Sequence, residues 1–369
     1  MSVLSGRKAA HDHKNERVFE IDDTTVLRIP VHHGPISDLA VSPQGGRLIV
    51  TNYGSHTISI IDTNTGLVLD AVAGLPEPSA VAISGAEANR AYISTATTAY
   101  DAIDIVDVAT SERIASHRVA HSVSDLTVHG NSIYASRNGV RGADVAVLDI
   151  ATGDLEVVEL ASRPGTTTEC VCMSPDGRRL YVGTNGPAGG SLVTIETRTH
   201  SDDHRVGGRS RIAGTVELGL PIRDVALSGD GGTAYVASCG PVVGAVVDVV
   251  DTRANKIINT RKIDEIAGPL TRMALSTDSR RAYLVSDDRI TVVCTRTLDV
   301  VGEVVVAEQP SCVVESPDGR NLYIADHFGV VFAAQIAVPA RSAPESGATM
   351  PAMSAAWMPE FAQREPALA

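Results

Sequence analysis

Three aspartates occupy one register of a repeated strand. Asp38, Asp125 and Asp224 each stand four residues before the residue that ends a short apolar run, at Ser42, His129 and Ser228. The same position in the other copies holds Ala80, Cys170, Arg272 and Cys312. One residue earlier the series reads Ser37, Ser79, Ser124, Glu169, Arg223, Thr271 and Ser311. Carboxylates and a guanidinium gathered at one place would suit a divalent cation, polarise a carbonyl or move a proton. An aspartate at the start of a strand has a plainer use, accepting backbone N–H bonds from adjoining loops. The connecting segments nearby add His32, His33, His56, His121, Arg137, Asn138, Arg141, Asn185, Asp287, Asp288, Asp326 and His327.

These groups converge only if their strands are set in a ring, and the chain is built to do that. Pro35–Gly66 contains three short apolar runs separated by S-P-Q-G-G, N-Y-G-S and D-T-N-T-G. Short Ile/Val-rich runs punctuated by Gly, Pro and Asn read as strands of a meander. The unit recurs: Cys172–Asn185 reads C-M-S-P-D-G-R-R-L-Y-V-G-T-N, and Val314–Asp326 reads V-E-S-P-D-G-R-N-L-Y-I-A-D. Markers at Ser42, Ser84, His129, Ser174, Ser228, Ser276 and Ser316 are spaced by 42, 45, 45, 54, 48 and 40 residues. A period in the forties with four strands per unit predicts an all-β, seven-bladed β-propeller with four-stranded antiparallel blades. The last unit supplies three strands (Cys312–Val338), so Val26–Val31 is expected to close it and remove a free sheet edge. In a propeller the starts of the innermost strands ring the mouth of the central channel.

The S-P-D-G-x-x-L-Y-V-x-N core, followed by an apolar strand ending in Asp-Thr, resembles the YVTN-family β-propeller repeats, with Ile49–Asn52 and Tyr181–Asn185 nearest the tetrad. The resemblance spans Gly34 to Val338. It implies the architecture and leaves the activity open, because such propellers are similar across surface-layer proteins, periplasmic proteins and lactonase-like enzymes.

Residues 1–16 read as a flexible polar segment and 17–338 as the propeller. Residues 339–369 read as a disordered Pro/Ala/Ser-rich tail; its M-P-A-M-S-A-A-W-M-P-E-F (350–361) offers a partner-docking or membrane-touching motif, with a piece that folds back loosely on the domain or has no role as the plainer reading. An insertion, Arg198–Gly214, lengthens the fourth unit. Its His200 and His204 are spaced for a metal on a helix, but flanking glycines favour a solvated hairpin. The net charge of −13 argues against a nucleic-acid surface, although Arg205, Arg209 and Arg211 make that loop locally basic. The cysteines, Cys170, Cys172, Cys239, Cys294 and Cys312, fit no zinc or disulfide framework and read as buried thiols in a reducing compartment. No uninterrupted h-region opens the chain and no apolar run reaches the length of a membrane span. A cytoplasmic monomer is therefore expected, with the cell envelope or export by another route as the alternative.

No P-loop, G-x-S-x-G elbow, H-E-x-x-H or C-x-x-C-H occurs. The leading expectation is a non-enzymatic binding or scaffold module that engages a protein or small ligand at the channel mouth. No cofactor is expected, and a divalent cation at the mouth is the inorganic ligand its carboxylates would take. The mouth candidates are Asp38, His56, Asp125, Arg137, Glu169, Asp224, Arg272 and His327. A lactonase-like hydrolase is the alternative. In it Glu169 or Asp125, with His121 or His327, would activate water while Arg272 or Arg137 holds an acidic sugar lactone. Nucleic-acid binding through the arginine loop is weaker still.

Overall fold

The repeat follows from turn chemistry at one end of each blade and alternation along its strands. In the computed structural model, residues 19–21, 26–31, 34–84, 89–120, 122–139, 142–161, 165–197, 209–266 and 268–337 are described. The marker serine sits just past the innermost strand. Its Oγ accepts an N–H from the next strand, as from Arg179 to Ser174 at 2.9 Å, Arg281 to Ser276 at 2.9 Å and Asn321 to Ser316 at 2.9 Å. The same hydroxyl donates to the aspartate two residues on, as Ser174 does to Asp176 at 2.6 Å. The S-x-D-G signature is thus the hydrogen-bonding of a tight turn. The aspartate ending the third strand is likewise a turn residue: Asp251 Oδ1 accepts the N–H groups of Arg253 and Ala254 at 2.8 and 2.7 Å.

Seven four-stranded antiparallel sheets result. Blade 1 runs Ile36–Val41, Arg47–Asn52, Thr57–Asp62 and Leu67–Ala73 from the axis outwards. The innermost strands of blades 2 to 7 are Val81–Ile83, Val123–His129, Thr167–Met173, Ile222–Leu227, Leu270–Leu275 and Pro310–Glu315. The closing strand is as expected. Leu27–Pro30 pairs antiparallel with Val330–Gln335 and becomes the outer strand of blade 7.

Alternation along the second strand of each blade joins neighbours. The first tetrad residue packs into the interface with the following blade, as Ile49, Tyr92, Tyr181 and Tyr283 do. The residue after it packs into the preceding interface, as Val50, Ile93, Val182 and Leu284 do. A period of two makes every blade two-faced, and the described residues form seven apolar clusters, one for each interface of the ring.

Two expectations need correction. The sequence from Arg17 to Val31 reads as a hairpin-like pair of runs or as at least one strand at Val26–Val31; among the described residues only the strand is present, while Phe19 N–H bonds to Val301 O at 2.9 Å and Ile21 bridges Ile336. The end of the proposed insertion is also not loop. Arg211–Glu217 is the outer strand of blade 4, because its alternating side chains can pair with Gly189–Glu196. Residues 1–16, 339–369, and His200, His204 and Arg205 lie outside the described residues. Among the described residues no helix is long and apolar enough to cross a membrane.

Candidate binding face at the channel mouth

The connections between blades and the loops joining second to third strands all lie at the end where the innermost strands begin. There, six of the innermost strands carry a register shift at one position, between Ile36/Asp38, Val123/Asp125, Thr168/Cys170, Ile222/Asp224, Leu270/Arg272 and Pro310/Cys312. The extra residues are Ser37, Ser124, Glu169, Arg223, Thr271 and Ser311. A bulge re-aims the side chains around it and ends regular pairing, which is how the polar register escapes the alternation that buries its neighbours.

The ring aspartates act between blades. Each carboxylate spans its own strand and the next blade. Asp38 accepts the N–H groups of Leu39 and Val81, both at 2.9 Å. Asp125 accepts those of Leu126 and Val171, both at 2.8 Å, and Asp224 those of Val225 at 2.8 Å and Met273 at 2.9 Å. These bonds tie blade 1 to 2, 3 to 4 and 5 to 6. Arg272, from blade 6, is the cation of the ring and couples electrostatically to all three carboxylates.

Burial raises the pKa of each aspartate, with Arg272 opposing. For Asp125 burial dominates, and repulsion from Asp38 and Asp224 adds to it. Arg272 and the Val171 N–H offset part, leaving the group at about 7. Burial works against the Arg272 charge, but Asp38, Asp224 and Asp125 together outweigh it and hold the guanidinium above its ordinary value. Burial also pushes the Cys312 thiol up to about 12 and Cys170 well above its usual range, so neither is a poised nucleophile. All five cysteines are free.

No family model matches the chain. Over a 394-position alignment covering all of both chains it is 50% identical to the seven-bladed beta-propeller protein Rv1057 of Mycobacterium tuberculosis. The chain belongs to the seven-bladed β-propeller proteins. A seven-bladed beta-propeller protein of Mycolicibacterium smegmatis is 33% identical over 154 residues, 42% of this chain and 38% of that one. Among solved structures, a chain of Kuenenia stuttgartiensis hydrazine synthase superposes with a TM-score of 0.71 at 19% identity, over 89% of this chain and all of that one. That likeness concerns the fold alone.

The remaining mouth candidates of this propeller are dispersed. Glu169 is half-buried at its bulge, 3.5 Å from the Thr167 hydroxyl. Arg137 is buried between blades 2 and 3, where its Nε pairs with Asp144 of blade 3 at 2.7 Å and a terminal nitrogen donates to the Val119 carbonyl of blade 2. His56 and His327 are exposed on the loops of blades 1 and 7, and His56 Nδ1 accepts the Glu77 N–H at 2.9 Å. His121 lies outside the described residues. Asn138 and Asn185 clamp the following blades, Asn185 both accepting from Ile222 N–H at 2.7 Å and donating to Ile222 O at 2.9 Å. Among the described residues no three His, Cys, Asp or Glu side chains are grouped to hold a metal ion.

Apolar side chains also stand on this face. Val242 and Val243 tip the blade 5 loop, Val305 lies between blades 6 and 7, and Phe328 tips the blade 7 loop; Val242 is 93% exposed. A cleft of about 430 Å³ opens over blades 1 to 3, lined in part by Tyr53, Glu77, Asp101 and Ser122. Sequence reasoning missed it, because Glu77 and Asp101 fall outside the repeated register and meet only through loop geometry.

Proposed function

We propose that this propeller is a non-enzymatic binding module that engages a partner protein through the mouth-face loops of blades 5 to 7. We read its repeats as YVTN-type from the tetrads at Ile49–Asn52 and Tyr181–Asn185. The observation that carries the functional reading is the exposed set Val242, Val243, Val305 and Phe328 on one arc of the rim. Leaving such side chains in water forgoes burial, and grouped apolar side chains on a functional face are a hallmark of protein contact. The ring beside them supports binding over hydrolysis. Both oxygens of Asp125 and of Asp224 already hold backbone N–H groups that join blades, which favours a structural role over that of a general base. The cleft on this face is lined by neither Glu169 nor Arg272.

The test compares co-purification from a mycobacterial lysate by the native protein, Val242→Asp/Phe328→Asp, and Leu69→Asp on the outer edge of blade 1. A partner retained by the edge variant and lost by the rim variant supports the reading. Equal capture by all three overturns it, as does turnover of sugar lactones by the native protein that is lost in Glu169→Gln.

A further inference from the structure

The cleft over blades 1 to 3 contains a carboxylate in unusual circumstances. Asp101 is only 7% exposed and lines the cleft. Its Oδ2 accepts the Val123 N–H at 2.8 Å, whereas Oδ1 has no partner among the described residues. Elsewhere in the propeller, Asp125, Asp224 and Glu315 have both oxygens occupied. Oδ1 is not closed off from water, so it is open to a ligand in the cleft, and a charged donor suits a carboxylate oxygen best.

The surroundings specify that donor. Glu77 lines the same cleft, exposed, with Oε2 receiving the Tyr53 hydroxyl at 3.1 Å. Tyr53 is 44% exposed, which leaves its ring accessible. No Lys, Arg or His is among the described residues lining the cleft. Two carboxylates and an accessible aromatic ring, with no cation among the described lining residues, make an environment for an ammonium group, which carries several N–H donors and is attracted to a ring face.

The backbone is held in place there against its own preference. Glu77 and Ser122 adopt φ of +40° and +57°, and flanking His56 and Ala120 adopt +54° and +74°. These are four of the eight non-glycine residues with positive φ among the described residues. The bond from Glu77 N–H to His56 Nδ1 fixes the first pair relative to each other. Such conformations persist only where the surroundings impose them.

We propose that this cleft is a binding site for a small organic cation, a primary or secondary amine, whose N–H groups reach Asp101 Oδ1 and Glu77 beside the Tyr53 ring. The site is separate from the rim arc of blades 5 to 7.

The experiment is calorimetric titration of the full-length protein with putrescine and with spermidine, and with glucose and calcium chloride for comparison. Both amines bind, and affinity falls as sodium chloride is raised, since carboxylate–ammonium attraction is screened. Glu77→Gln and Tyr53→Ala, both surface changes, each weaken binding about tenfold; Asp101→Asn weakens it at least as much; Phe328→Asp leaves it unchanged. Absence of amine binding, affinities unaltered by Glu77→Gln and Tyr53→Ala, or a response to glucose or calcium without one to the amines overturns the proposal. Because Phe328→Asp impairs only the rim, its effects on partner capture and on amine binding separate the two readings.

Discussion

Replacing Asp125 by Asn tests whether the channel ring governs stability near neutral pH. Asp125 titrates near 7 in the folded protein, against 3.8 for an ordinary aspartate. Between those values the folded chain binds the extra proton, so this group's contribution to stability is fully present below 3.8 and is lost as pH rises through 7. From pH 8 to pH 5 the gain from this one group is roughly 2–3 kcal/mol, at about 1.4 kcal/mol per pKa unit. Asp38 and Asp224 are shifted in the same direction and steepen the native dependence. Turn aspartates such as Asp176, Asp230 and Asp318 are shifted down, so their contributions are lost only at more acidic pH, outside this window. Asparagine cannot titrate, and it offers one acceptor oxygen where the carboxylate gives two N–H groups an oxygen each. One buried N–H is then orphaned, at a cost of about 1–3 kcal/mol. Urea denaturation at pH 5, 6.5 and 8 is expected to show the variant clearly weaker at pH 5, with the gap closing or reversing by pH 8. Parallel curves for variant and native protein at all three pH values would refute the reasoning.

Three further outcomes follow from other contacts. Ile29, 3% exposed on the closing strand and packed in the cluster that joins blades 7 and 1, should cost about 2–5 kcal/mol when changed to Ala, read as a lower urea midpoint. Tyr283 donates its hydroxyl to buried Glu315 at 2.5 Å across the interface of blades 6 and 7; Tyr283→Phe strands that carboxylate oxygen and should cost about 1–3 kcal/mol by the same assay. The thiols of Cys170 and Cys312 should not react with Ellman's reagent at pH 8 until the protein is unfolded, since burial suppresses the thiolate of both.

Much of this architecture is written in local chemistry and is therefore legible in the sequence. The serine turns, the apolar tetrads and the missing strand of the last unit each depend on neighbouring residues, so blade count and closure could be read directly. The common register of Asp38, Asp125 and Asp224 was equally visible. Their use was not, because whether Asp125 Oδ2 meets a substrate or the Val171 N–H depends on how one blade sits against the next. Arg137 shows the same limit. Its place among the connecting segments suggests a mouth ligand, whereas Asp144 seven residues later and the Val119 carbonyl of blade 2 engage its guanidinium between the blades. The cleft was harder still, since nothing in the types Glu77 and Ser122 announces a positive φ.

The polar ties follow a logic that an odd-membered ring imposes. Aspartates in the ring register link blades 1 to 2, 3 to 4 and 5 to 6, and pairing by twos leaves blade 7 over. The other interfaces use different groups for the same task. Asp101 accepts Val123 N–H between blades 2 and 3, Asn185 holds Ile222 between 4 and 5, and Glu315 accepts Thr277 N–H between 6 and 7. The last junction, between blades 7 and 1, is filled by the apolar cluster of Ile29, Val31, Ile36, Leu39, Cys312 and Tyr323. Most of these ties satisfy an N–H near the start of an innermost strand, as at Val81, Val123, Val171, Ile222 and Met273, where a buried donor would otherwise be orphaned; Glu315 does the same for the Thr277 turn at the other end of the blade. The carboxylates of the mouth are thus explained by structure first. Asp101 departs from that pattern, because it makes its interface tie with one oxygen and leaves the other at the cleft.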